Sequence, residues 1–124
     1  MGISVYPLSI IGSSDLRLIV DTDVDETVES NVFDGACALY AAYIDNSANA
    51  AITYVKFYDT DTAPTVGTTA PTMILMCNVS AEHIFVFTSG VTFSVGLSIA
   101  AVTAAGTAGT TGPTSAALGY FVTG

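Results

Sequence analysis

The sequence predicts an all-β fold: a single-domain antiparallel β-sandwich or jelly-roll-like module with an extended N-terminal arm. Three observations carry this expectation. Apolar residues recur with a period of two instead of 3.6, turn residues punctuate the chain at short spacing, and no segment has the length and pattern of a stable amphipathic helix. At 124 residues the chain fits one core. Its 51% apolar and 10% charged composition excludes disorder.

Residues 1–34 differ in character from the rest. "ISVYPLSIIGSSDLRLIV" is apolar with one Pro, and "DTDVDETVESNVFDG" follows it with six acids in fifteen residues. One reading is a strand such as "LRLIV" leading into a solvated acidic turn. The other is an arm that lies on a neighbouring subunit, with Tyr6, Leu8, Ile10 and Arg17 as candidate interface contacts, because aromatic and Arg anchors dominate interfaces.

Residues 35–124 form the expected sandwich body. "CALYAAYI" (37–44), "ITYVKFYD" (52–59), "TMILMCNV" (72–79), "HIFVF" (83–87) and "LGYFV" (118–122) are rich in β-branched and aromatic residues, as half-buried strands prefer. In "ITYVKFYD" the alternation puts Val55 and Phe57 on one face and Tyr54, Lys56 and Tyr58 on the other. "VTFSVGLSI" alternates from Val91 to Ile99 and reads as one strand with a buried face and a small polar face. Turn signals separate these runs: "DNSAN" (45–49), "DTAPTVGTTAP" (61–71), "SG" (89–90) and "GTAGTTGP" (106–113).

Charge narrows the function classes. Eleven acids face only Arg17 and Lys56, for a net charge of −9. Phosphate backbones demand clustered Lys and Arg, so no direct nucleic-acid partner is expected. Anionic membranes are disfavoured for the same reason. The uncharged surface falls to Thr (17 copies), Ser, Asn and Gly, and a charge-poor small chain of this kind suits a subunit that hides surface in an assembly. Cys37 and Cys77 match no metal or redox spacing and read as buried free thiols. No basic residue precedes the first apolar stretch, "MGISVY" lacks the myristoylation pattern, and "VGLSIAAVTAA" is too short to span a bilayer. The expectation is a soluble protein made in a cytoplasm.

Each chemical motif fails its own test. Asp21, Asp23 and Asp25 begin like a calcium loop, but an EF-hand needs Gly at position six and Glu at twelve, where this chain has Glu26 and Val32. The run leaves room only for a weak or adventitious calcium site. "GLSIA" (96–100) resembles a nucleophile elbow, yet alternation runs through Ser98 and His83 lies upstream of it. One His and two scattered Cys do not make a zinc site. Asp59 and Asp61 flank "DTD" as a pair of carboxylates would, but Asp and Thr also cap turns, and Pro64 and Gly67 follow them in a loop. No catalytic residue, metal or cofactor is expected, and the protein is read as no enzyme.

"YVKFYDTDTAPTVGTTAP" followed by "VTFSVGLSIAAVTAAGTAGTT" resembles a pattern of small virion structural proteins of tailed bacteriophages. There a strand ends in K-x-Y-D before A-P-T-V-G-T, and a later strand ends in G-L-x-I-A before a Gly/Thr/Ala-rich loop. The likeness covers residues 37 to 123; the acidic first third has no counterpart in it. It implies a β-sandwich or jelly-roll module displayed on a virion. The function it implies is a capsid cement (decoration) protein, a homotrimer that binds the major capsid protein on the outer capsid surface after assembly in the host cytoplasm. The alternative it implies is a tail-fibre or receptor-binding head domain.

Overall fold

A computed structural model describes residues 2–7 and 16–124 of the chain. Its strands are β1 (Ile3–Pro7), β2 (Arg17–Val24), β3 (Cys37–Asp45), β4 (Thr53–Asp59), β5 (Met73–Cys77), β6 (Glu82–Phe93), β7 (Leu97–Val102) and β8 (Ala117–Thr123). They form a five-stranded sheet, β1-β2-β8-β3-β6, and a three-stranded sheet, β5-β4-β7. All pairs are antiparallel. Among the described residues there is no helix, as the period-two pattern predicts.

The pairing is a set of nested hairpins. β4 pairs β5, β3 pairs β6, and β2 pairs β8, each enclosing the one before. Between the last two lies a further rung: Glu29 bridges Ile99 of β7, and Val32 N–H donates to Leu97 O at 2.9 Å. Residues 25–32 therefore run along the free edge of β7 as a strap. One long antiparallel hairpin wrapped on itself is a jelly roll, here with one strand reduced to that strap and β1 added at the edge of the large sheet. Closing β7's edge also removes a pairing template, and all six β7 residues are buried.

Between the sheets lie Ile19, Leu39, Ala42, Phe93 and Phe121 from one side and Val55, Phe57, Leu97 and Ile99 from the other. Phe57 meets Phe121 edge-on at 5.8 Å, the geometry that aromatic quadrupoles favour. Cys37 and Cys77 are buried free thiols in or beside this layer.

Three local expectations are corrected. "VTFSVGLSI" is two strands: β6 ends at Phe93, Ser94–Gly96 turn, and β7 starts at Leu97. The "SG" at 89–90 lies inside β6, where the register jumps from Leu39↔Val91 to Ala41↔Val86. Gly90 sits in this bulge at φ +74°, and a Cβ there would come within 2.9 Å of the Tyr40 ring. In β4, Lys56 and Tyr58 are buried along with Val55 and Phe57, because a loop covers the outer face of the central strand.

That loop is held by Lys56. Its ammonium donates to Thr107 O at 3.1 Å and Gly109 O at 3.0 Å, while Thr103 N–H donates to Thr111 O to close the loop's base. Burial holds the Lys56 pKa below its ordinary value. Lys56→Met, which keeps the stem and removes the donors, is expected to destabilise by about 1–3 kcal/mol and to open residues 104–111 to amide exchange before the rest unfolds. Unchanged exchange there would show that the ammonium does not hold the loop.

Candidate interaction surface

Residues 3–7 and 17–24 of the first third pair within the chain's own large sheet; Leu8 and Ile10 lie outside the described residues. Because side chains alternate across a strand, the residues between Ile19, Phe121 and Ala42 point away from the core. The register aligns them in two rows across the sheet. Tyr6, Leu18, Val122, Ala41 and Val86 form one, and Ser4, Val20, Tyr120, Tyr43 and Ile84 the other. Neither row contains a charge.

Exposure rises toward both edges. Ile84 is 74% exposed and Val86 67% on edge strand β6, and Tyr6 is 53% exposed on edge strand β1. Tyr43 and Tyr120 stack at 5.5 Å in the middle. The Tyr43 hydroxyl donates to the Glu82 carboxylate at the rim, and this contact pushes the phenol up to about 12. An exposed, charge-free face with aromatics at its centre and a polar rim has the composition found at many protein-binding surfaces.

The candidate anchors separate here. Tyr6 stands on the exposed face. Arg17 points to the other side, where its guanidinium donates to Phe33 O at 2.7 Å and lies 4.1 Å from the Phe33 ring centre. It secures the segment after the strap. Residues that sequence reasoning missed, Ile84, Val86, Tyr43 and Tyr120, come from strands whose partners only the topology supplies.

The other motifs are structural. Asp59 accepts from Ser94 N–H, Ser94 hydroxyl, Val95 N–H and Gly96 N–H at 2.8–3.2 Å, so both oxygens are engaged. Asp61 is exposed. Thr60 caps the local turn through Thr62. Ser98 is fully buried, donating to Thr60 O and accepting from Asn31 N–H. His83 Nε2 accepts from Asn78 N–H at 2.9 Å and its ring stacks on Phe85.

One acidic group differs from these. Oxygens of Asp21, Asp23 and Glu29 lie within 4.8 Å of one another. Asp21 and Glu29 are 0% and 3% exposed. Burial, and next the Asp23 carboxylate, push the Asp21 carboxyl up to about 7, and the same contact holds Asp23 low. Burial and the Asp23 charge raise Glu29. Glu29 joins Asp21 only because the strap crosses from one sheet to the other, and nothing in the local sequence marks it.

No family model matches this chain, and neither does any curated protein or solved structure.

Proposed function

We propose that this chain is a non-enzymatic bacteriophage capsid cement protein, a homotrimer that docks on the major capsid protein and stabilises the outer shell through protein–protein contacts. The observation that carries the reading is the uncharged outer face of the five-stranded sheet, continuous from Tyr6 to Val86 and most exposed at Ile84. A fold does not assign a function, but jelly rolls serve as shell modules, and the sequence likeness over residues 37–123 supports the same class. Area buried over such a face resists shell expansion without any chemistry. The acidic rim at Asp45 and Glu82 favours a partner with a basic rim.

The test is the double substitution Ile84→Glu and Val86→Glu in the full chain. Both side chains are largely in water, so the fold is retained, while two carboxylates in an apolar interface weaken binding by about 30-fold or more. Occupancy on expanded capsids and the sedimentation of the free protein are measured together. A variant that assembles and binds like the parent would sink the assignment of this face.

A second reading, a tail-fibre or receptor-binding head, is favoured by one observation. The loops at 60–72 and 103–112 pack on each other, with Gly67 against Thr110 and Ala108, and so present one exposed Thr-rich surface. Copy number separates the two: a cement protein is present in hundreds per particle, a fibre subunit in tens or fewer.

A further inference from the structure

We infer that Asp21, Asp23 and Glu29 form a site for one divalent cation of the calcium class, which ties β2 of the large sheet to the strap on the small one. This goes beyond the shell-binding reading and does not depend on it. The ligand oxygens lie within 4.8 Å of one another. Two oxygens bound to one calcium at ~2.3–2.6 Å are at most about 5 Å apart, so the cluster has the span of a single ion's coordination shell.

An acidic cluster alone is not a site; here a buried oxygen points to a ligand. Asp21 is 0% exposed, and its Oδ2 has no hydrogen-bond partner among the described residues. The other oxygen, Oδ1, already accepts from Asp23 N–H at 3.0 Å. A buried carboxylate oxygen without a donor is costly unless the group takes up a proton, which the Asp23 carboxylate beside it can share, or a cation meets it. The chain's two basic side chains are engaged elsewhere, Arg17 on Phe33 and Lys56 on Thr107 and Gly109. All three ligands are carboxylates, which suit a hard ion over zinc. Half-buried Asp23 leaves one side open for the waters that calcium retains.

The placement gives the ion a structural role. The β-bulge between Asp21 and Val24 re-aims this part of β2. Asp23 Oδ1 accepts Gly2 N–H at 2.9 Å, reaching β1, and Glu29 holds β7 by reciprocal backbone bonds with Ile99 at 2.9 Å. An ion here joins β1, β2 and the strap at one point.

The full chain is stripped with chelator at pH 7.5, then titrated with calcium and separately with magnesium, by calorimetry and thermal melting. One calcium per chain is expected, with Kd about 0.1–1 mM, and 10 mM calcium raises Tm by roughly 5–10 °C. Asp21→Asn and Glu29→Gln are each expected to lose the calcium-dependent shift, and Asp61→Asn to keep it. Asp21→Asn also melts higher than the parent in chelator, since a neutral amide replaces the buried carboxylate. The absence of saturable binding to the parent would overturn the inference. So would a shift that both Asp21→Asn and Glu29→Gln retain, since that is general screening of a chain of charge −9.

Discussion

Asn46→Ala is expected to cost about 3–4 kcal/mol, lowering Tm by roughly 10–20 °C for a domain of this size. Asn46 is fully buried at the end of β3. Its amide donates to Ala51 O at 3.2 Å and Asn78 O at 3.0 Å, and its Oδ1 accepts from Asn49 Nδ2 and Thr53 Oγ1, both at 2.8 Å. Asn49 extends the network by exchanging bonds with the Ser115 backbone, 2.8 Å in each direction. One side chain thus couples the end of β3 to the starts of β4 and β8 and to the turn after β5. Truncation removes the acceptor of the buried Thr53 hydroxyl and of one Asn49 N–H, and the donor to the Ala51 and Asn78 carbonyls, and each uncompensated group costs about 1–3 kcal/mol before relaxation. Asn46→Asp is expected to be worse than Ala despite its shape, because a carboxylate would face the Ala51 and Asn78 carbonyls. Urea unfolding of the three proteins decides it: a loss under about 1 kcal/mol for Ala, or an Asp variant as stable as the parent, would show that the network is not what holds this end.

The same residue marks the boundary of what the sequence discloses. "DNSAN" reads as a turn, and residues 45–49 do turn. That two of its amides are buried crosslinks depends on Asn78 and Ser115, which arrive from distant parts of the chain. Strand existence was legible because period-two alternation is local. It failed where a second layer covers a strand's outer face: Lys56 looks like the solvent side of β4 until the 103–112 loop is laid over it. It failed again across Ser94–Gly96, where alternation continues through a turn. The β6–β7 break is enforced by Asp59, some 35 residues upstream.

The candidate surface was half legible for a related reason. Tyr6 stands out as an aromatic in an apolar terminal run. Ile84 and Val86 look like ordinary strand residues, and only their position on the edge strand β6, outward of Tyr43 and Ala41, leaves them in water. Glu29 was illegible altogether, since it is brought to Asp21 and Asp23 of β2 by a strap that crosses between sheets.

Asp59→Asn is expected to destabilise by about 2–3 kcal/mol at pH 7, and the size of that loss is expected to depend on pH in one direction. Partial burial raises the Asp59 pKa, but the N–H groups of Val95, Ser94 and Gly96 and the Ser94 hydroxyl outweigh it, and the net shift is downward. A depressed folded-state pKa contributes stability that is present above the unfolded value, about 3.9, and is lost as pH falls through the folded value. The parent therefore loses this contribution on acidification below about pH 4, while the Asn variant, which carries no titrating group there, does not. The gap between them, wide at pH 7, narrows steadily toward pH 2–3. Urea midpoints at pH 7 and pH 3 read this directly, and a gap of equal size at both would mean that shape, not charge, closes the turn. The backbone logic predicts otherwise: three consecutive N–H groups at 94–96 converge on one carboxylate, and an amide presents its own donors to at least one of them. The first Asp of "DTD" thus acts on residues far along the chain. It ends β6, starts β7, and so fixes where the hairpin folds back over the core.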